Sequence, residues 1–401
     1  MFKDFIRQEL ALFPLKRIRQ NSERNYVKNI LIKTLILVSA LYLNACASGT
    51  RKPSSNDGLS GQSGFSGISS KFVSVNSQPE FSVANREGLG LYYVPYDTSY
   101  SADSVSFQLG ALSSDSVPRL AKMVMEEFQL YPTDCLRKVQ VDQIVLSNSI
   151  GIAFTDGSVD SRSATLDPVN NTMIYSEGIF SLAYMVVDLM RFYQQDLAAY
   201  QKLVAMNRSD AGFLTFLAAQ KSKIEAEQLK TEASAEKTSA FMINVIHHEF
   251  YHFWDTKVNG SPTPDAEWAA LNDSSFQYGN GGRFNRNSNN SIWNTNYPGF
   301  LDDYARTAVE EDKAEVYGAL LAHPVELTAR MQNDPILARK VNLLKSRAQR
   351  FCSSMNSNFW RSAEQTVAGR VQYGIKIMIT DDDSAQSLPI PGKSAIGSYH
   401  Y

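Results

Sequence analysis

The 401-residue chain is 43% apolar and 20% charged, a composition that supports a large folded core and excludes wholesale disorder. Its 39 basic and 41 acidic side chains leave a formal charge of −2, with no cationic excess of the kind that holds nucleic acid. Cys46, Cys135 and Cys352 are the only cysteines, too few for a disulfide-dense scaffold or a Cys-rich zinc module, so any metal falls to histidine and carboxylate.

Residues 1–33 carry Lys3, Arg7, Lys16, Arg17, Arg19, Arg24, Lys28 and Lys33, and an apolar run from Thr34 to Leu43 follows. A basic stretch and a short apolar run ending in small residues predict an export signal over residues 1–45, too short for a stable membrane span. Leu43-Asn44-Ala45-Cys46 resembles a bacterial lipobox, which implies cleavage before Cys46 and a diacylglycerol on its sulfur; the alternatives are an uncut signal anchor and a free cysteine after an ordinary signal. The mature chain would carry 31 basic and 38 acidic residues, so the acyl chains rather than a polybasic patch would hold it on a membrane. Ala47 and Ser48 provide no acidic retention signal after the cysteine, so outer-membrane or cell-envelope sorting is expected. In an exported protein Cys135 and Cys352 are either bridged or two buried free thiols.

Residues 46–85 read as the lipidated cysteine and a flexible tether, with thirteen Ser or Gly among positions 47–70 and a reach of roughly 25–30 Å. Strands are predicted around Gly90–Tyr96, Val139–Leu146, Gly151–Thr155 and Thr172–Tyr175, with one helix near Val117–Leu130. From Phe180 the pattern turns helical: Phe180–Met206, a long Ala/Glu/Lys-rich stretch from Ala211 into Lys257, Ala308–Ala322, and a final helix opened by Asp334-Pro335. The charged run Lys221–Lys237 reads as a solvated helix face. Strands first and helices afterwards predict an α+β domain over residues 86–380, a small sheet preceding a helical lobe, with an irregular tail over 381–401.

Three of the five histidines fall in His247-His248-Glu249-Phe250-Tyr251-His252. On a helix, His248 and His252 lie one turn apart on one face and can share one tetrahedral zinc, while Glu249 sits beside it as a general base. His247 points about 100° away and reads as a core histidine or a partner of the metal residues rather than a ligand. The flanking Met242, Ile243, Val245, Ile246, Phe250, Phe253 and Trp254 predict that this helix is buried, where two histidines and a glutamate each cost several kcal/mol to desolvate unless partnered. Asp255 is expected either to orient His252 or to pair with Lys257. Val258 stands where a metzincin has its third histidine, which removes that class.

The third ligand is therefore sought downstream, in Tyr304-Ala-Arg-Thr-Ala-Val-Glu310-Glu311-Asp312-Lys313-Ala314-Glu315. Tyr304 and Glu311 are seven residues apart and Glu311 and Glu315 four, so a continuous helix would put all three on one face. Glu310 remains an alternative ligand that breaks both spacings. HExxH followed by Tyr-x-Arg-Thr-x-x-x-Glu-x-x-Ala-Glu resembles the catalytic domain of lethal-factor-type gluzincin peptidases. Nearer still are the bacterial and fungal zinc-binding metallopeptidases, in Glu267-Trp268-Ala269-Ala270-Leu271-Asn272 and Phe276-Gln277-Tyr278-Gly279 as well. That resemblance implies Glu311 as third zinc ligand, Tyr304 as an oxyanion donor and Glu315 as hydrogen-bond acceptor for a ligand histidine. Thr172-Met173-Ile174-Tyr175 is expected to be the edge strand that takes substrate backbone by strand addition.

These readings together describe an exported, lipid-anchored zinc endopeptidase with one zinc, acting on peptide or protein substrates. The alternative is a lipoprotein with a structural zinc, or a degenerate peptidase serving as a binding module. The intact Glu249 argues against the alternative, since a structural site has no use for a base beside an open coordination position.

Overall fold

A computed structural model describes residues 71–75, 89–206, 211–259, 265–281 and 297–379. The export signal, Cys46, the tether up to residue 70 and the tail from residue 381 lie outside the described residues. The chain divides into two compact units, Met1–Gly61 with Gln194–Ala218, and Gln62–Tyr193 with Ala219–Tyr401. In the first, the described part is purely helical, from the end of Ser181–Met206 and the start of Ala211–Asn259, with Leu217 buried. The sheets and the candidate site described below belong to the second unit.

The second unit has two sheets. β2 (Gly90–Tyr93), β5 (Gln143–Ser147) and β9 (Thr172–Ser176) are parallel neighbours, with β1 (Val73–Ser74) antiparallel on one edge and β8 (Ala164–Asp167) antiparallel on the other. β3 (Thr98–Ala102), β4 (Val105–Leu109), β6 (Ile150–Phe154) and β7 (Val159–Arg162) form an antiparallel meander. Every residue of β5 and β9 is buried, because both faces of these inner strands are covered. Strand alternation divides their side chains between two cores. Ile144, Leu146, Met173 and Tyr175 join the core shared with the helices, while Val145 and Ile174 join Tyr100, Phe107, Leu109, Ile150 and Ile152 of the meander.

Strand Thr172–Ser176 is therefore not an edge. β9 is paired by β5 on one side and β8 on the other, so Thr172, Met173, Ile174 and Tyr175 have no free backbone to offer a peptide. The edge belongs to Ala164–Asp167, a stretch too short and mixed to show clear alternation in sequence.

The helices are α1 (Val117–Phe128), α2 (Thr133–Val139), α3 (Ser181–Met206), α4 (Ala211–Asn259), α5 (Ala266–Ala269), α6 (Val309–Ala322), α7 (Pro324–Met331), α8 (Pro335–Phe351) and α9 (Ser357–Ile379). α8 begins as its sequence requires, with Pro335 in the first turn and the Asp334 carboxylate accepting from Leu337 N at 2.9 Å. It is not the last helix: α9 follows it and packs Ile377 and Met378 into the main core. Cys135 of α2 and Cys352 at the end of α8 are bridged, with Cα atoms 5.5 Å apart. Among the described residues no helix is long and apolar enough to cross a membrane.

Candidate metal centre

His248, Glu249 and His252 lie near the C-terminal end of α4. The helix is held there by its apolar side, where Phe250 meets Phe128 at 5.4 Å and Tyr131 at 4.4 Å between ring centroids, and Tyr175 of β9 donates to the Ile246 carbonyl. α6 crosses close beside it. A Cβ on Gly318 would lie 2.5 Å from Asn244 Oδ1, so glycine is what lets the backbone of α6 approach α4.

That approach brings the expected ligands together. His248 Nε2 and His252 Nε2 are 3.0 Å apart, and Glu311 Oε2 is 3.2 Å from each. Two imidazole nitrogens facing each other and a carboxylate oxygen share one small space, and three such atoms suit a single divalent cation with one position left for water. A cation placed among them engages all three atoms at once. Burial raises the cost of a charge on Glu311, yet the two adjacent imidazoles outweigh it and hold its carboxyl well below the usual range. Glu311, not Glu310, completes the group. It lies in the first turn of α6, where the helix dipole favours a carboxylate.

Glu315, one turn along α6, places Oε1 3.0 Å from His248 Nδ1, where it fixes the ring with Nε2 turned to the metal position. Beyond it, burial and the Glu315 charge push the carboxyl of Asp302 up to about 8. Glu249 stands among His248, His252, Arg162 and Glu311; burial lifts its carboxyl above the ordinary range, opposed by both histidines and by Arg162.

Tyr304 reaches the group by a different route from the one its spacing suggested. α6 begins only at Val309, after Ala308 in extended conformation, so Tyr304 is not on the helix of Glu311. It sits in a turn closed by Ala305 N on Asp302 Oδ1 at 2.7 Å and by Thr307 N on the Tyr304 carbonyl at 2.9 Å. Its ring still lies 6.1 Å from that of His248, and burial raises its hydroxyl pKa above the usual value, keeping it a donor.

Asp255, expected beside His252 or Lys257, faces the neighbouring helix α6 instead of standing exposed at the helix end. Its carboxylate lies 2.6 Å from Lys313 Nζ, and Lys257 instead turns toward Asn171, 3.2 Å away. The reason is position on the helix: three residues past His252, Asp255 faces α6 and is buried, whereas Lys257 is at the helix end. Lys313 also meets Asp265 at 3.2 Å, and Asp265 takes both arms of the Arg347 fork at 2.5 and 3.0 Å. A chain of opposite charges therefore runs from α4 through α6 to α8. His247 points away from the ligands, as its helical angle requires. Its Nε2 is 2.9 Å from Glu127 Oε2 and its Nδ1 2.7 Å from the Tyr131 hydroxyl, and Arg370 donates to the same Glu127 oxygen. Burial pushes the ring toward neutrality, so Nε2–H donates to the carboxylate and Tyr131 donates to Nδ1.

Arg162, at the last position of β7, was not marked by any sequence signal, since it is one arginine in a polar strand. Its guanidinium faces Tyr304 and Glu249. Lys313 had a readable signal: it is a lone cation in Ala-Glu-Val-Tyr-Gly-Ala-Leu-Leu-Ala surroundings, two residues past Glu311.

No family model matches the chain, and no curated protein matches it. Among solved structures it is similar to a protein from Bacteroides caccae described as a "putative zinc-binding metallo-peptidase", at 14% identity over 73% of this chain and 89% of that one, with a TM-score of 0.37. What the site can do is therefore decided by its own side chains.

Proposed function

We propose that this chain is a zinc-dependent endopeptidase, with His248, His252 and Glu311 holding one zinc. The observation that carries the proposal is the meeting of those three ligand atoms within 3.2 Å, beside a half-buried glutamate and a tyrosine donor. A zinc bound there supplies Lewis-acid polarisation and makes water a nucleophile near neutral pH. Glu249, with its proton affinity lifted by burial, takes a proton from the attacking water on its carboxylate and delivers it to the nitrogen of the leaving amine. The Tyr304 hydroxyl donates to the carbonyl oxygen as negative charge gathers there. Glu315 keeps His248 in the tautomer that turns Nε2 inward. The N-terminal lipobox adds the second half of the proposal, an exported enzyme tethered by lipid at Cys46 and acting on peptides or proteins within reach of that membrane.

The test compares zinc-loaded wild type with Glu249→Gln on a peptide found by unbiased library digestion, with zinc content measured for both. Glu249→Gln should keep its zinc and lose at least the roughly 10²–10⁴-fold typical of a general base. Equal cleavage by the variant would transfer the site to a structural role.

A further inference from the structure

Arg162 is a cation that interacts with Glu249 and Tyr304 and that none of the roles above employs. It closes β7 opposite Ile150 of β6, one residue before the chain crosses into the other sheet at Ser163, and two before edge strand β8 begins. Its Nε donates to Asp160 Oδ2 at 2.9 Å, and Asp160 is almost fully buried. Arginine is a planar fork, so fixing Nε on one carboxylate fixes the direction of both terminal nitrogens. The side chain lines a cleft of about 440 Å³ together with Ser161, Ser176 and Gly178. Among the residues lining that cleft it is the only cation. Its other electrostatic partners are Tyr304, Glu249 and Glu311.

We infer that Arg162, aimed by Asp160, is a positioning residue for Tyr304: it donates to the phenol oxygen and so turns the Tyr304 O–H toward the reacting carbonyl. A phenol oxygen that accepts from a cation is a stronger donor through its own hydrogen, since successive hydrogen bonds polarise one another. Without that contact the Tyr304 hydroxyl is free to rotate about its C–O bond, and only some of its orientations serve the oxyanion. The inference rests on the peptidase reading only for its catalytic consequence. The contact itself exists with or without metal.

Two measurements test it. In metal-free protein labelled with 13Cζ-tyrosine, Tyr304→Phe identifies one resonance by its loss, and Arg162→Met should shift that resonance while the remaining tyrosine signals keep their places, which also shows that the variant is folded. In the zinc-loaded protein, Arg162→Met should lower kcat about tenfold with KM little changed, short of the roughly 10²–10³-fold expected for losing the donor itself. In a Tyr304→Phe background the same substitution should cost less than twofold, because the group through which Arg162 acts is gone. An unmoved resonance overturns the inference, as does a full tenfold loss in the Tyr304→Phe background. Absence of any turnover by wild type counts against the peptidase reading, whereas the resonance still decides whether Arg162 holds Tyr304.

Discussion

Replacing Lys340 by methionine should cost several kcal/mol of stability. Lys340 on α8 is fully buried, with Nζ 2.6 Å from Asp312 Oδ2, 2.7 Å from the Gly299 carbonyl and 3.8 Å from the Phe300 ring centroid. The same Asp312 oxygen also accepts from Trp268 Nε1 at 2.7 Å and the Tyr278 hydroxyl at 2.6 Å. Methionine fills most of the volume but leaves a carboxylate with neutral donors only and a carbonyl without its cation, so the loss should be about 3–5 kcal/mol near pH 7. Against a typical stability of about 5–15 kcal/mol that is readily measured by urea unfolding. The pH dependence has a definite sign. Burial already raises the Asp312 carboxyl and Lys340 opposes the rise, so without Lys340 it rises further. A carboxyl whose folded pKa lies above its unfolded value of about 4 costs nothing below that value and progressively more as pH increases toward the folded pKa. The penalty should therefore shrink at pH 4 relative to pH 7, and the double variant Lys340→Met/Asp312→Asn should lie closer to wild type than Lys340→Met alone. A single variant within about 1 kcal/mol of wild type would refute the reasoning, and so would an equal penalty at both pH values. Because Asp312 follows Glu311 directly, zinc retention should weaken in the single variant as well.

Glu311→Ala should lose most of the one zinc per chain expected of a three-ligand site, read by metal analysis after dialysis; full retention would move the ligand role to another residue. Cys135→Ala with Cys352→Ala opens a link spanning 217 residues, and loop entropy puts the loss at about 5 kcal/mol; an unchanged melting temperature would show that the link constrains little of the unfolded chain. Cys46→Ala should leave the precursor uncut or release the protein from membranes, and unchanged size and fractionation would remove the lipid anchor.

The parts of this structure that were legible in sequence are those governed by short-range periodicity. α1, α4, α6 and α8 lie within a few residues of their expected bounds because their apolar spacing, Pro335 and the Asp334 cap are local signals. His248 and His252 were legible as a pair because a helix fixes their spacing, whereas Glu311 was singled out by the resemblance of its segment to zinc metallopeptidases. What depends on pairing across the chain was not legible. The β3–β4 hairpin and strands β7 and β8 are short, with polar residues on inward faces, so alternation is broken where Asp160 and Asp167 are buried. Strand order is a property of neighbours, so nothing within Thr172–Tyr175 said that a further strand would cover its open side. Tyr304 shows the same lesson at smaller scale: a seven-residue spacing suits two turns of helix, yet Asp302 and Thr307 form a turn that interrupts the helix and still delivers the phenol beside His248.

The buried charges make sense once they are assigned to the job of fixing α4 against α6. Two candidate ligands on one helix and one on another require a fixed relative rotation and translation, because a shift of one residue along either helix moves a ligand atom by 1.5 Å and by about 100°. Apolar packing alone tolerates such shifts, since one leucine-sized side chain replaces another at modest cost. Lys313 bonded to Asp255 across the helix pair does not, for a slip would strand two buried charges at several kcal/mol. Lys313 is two residues from Glu311, and Asp255 is three from His252, so the ion pair locks the helices next to the ligands rather than at their far ends. Arg347 on Asp265 and Lys340 on Asp312 extend the same restraint to α8. Each costs desolvation and adds little net stability, yet together they exclude the neighbouring registers in which the three ligand atoms would not meet.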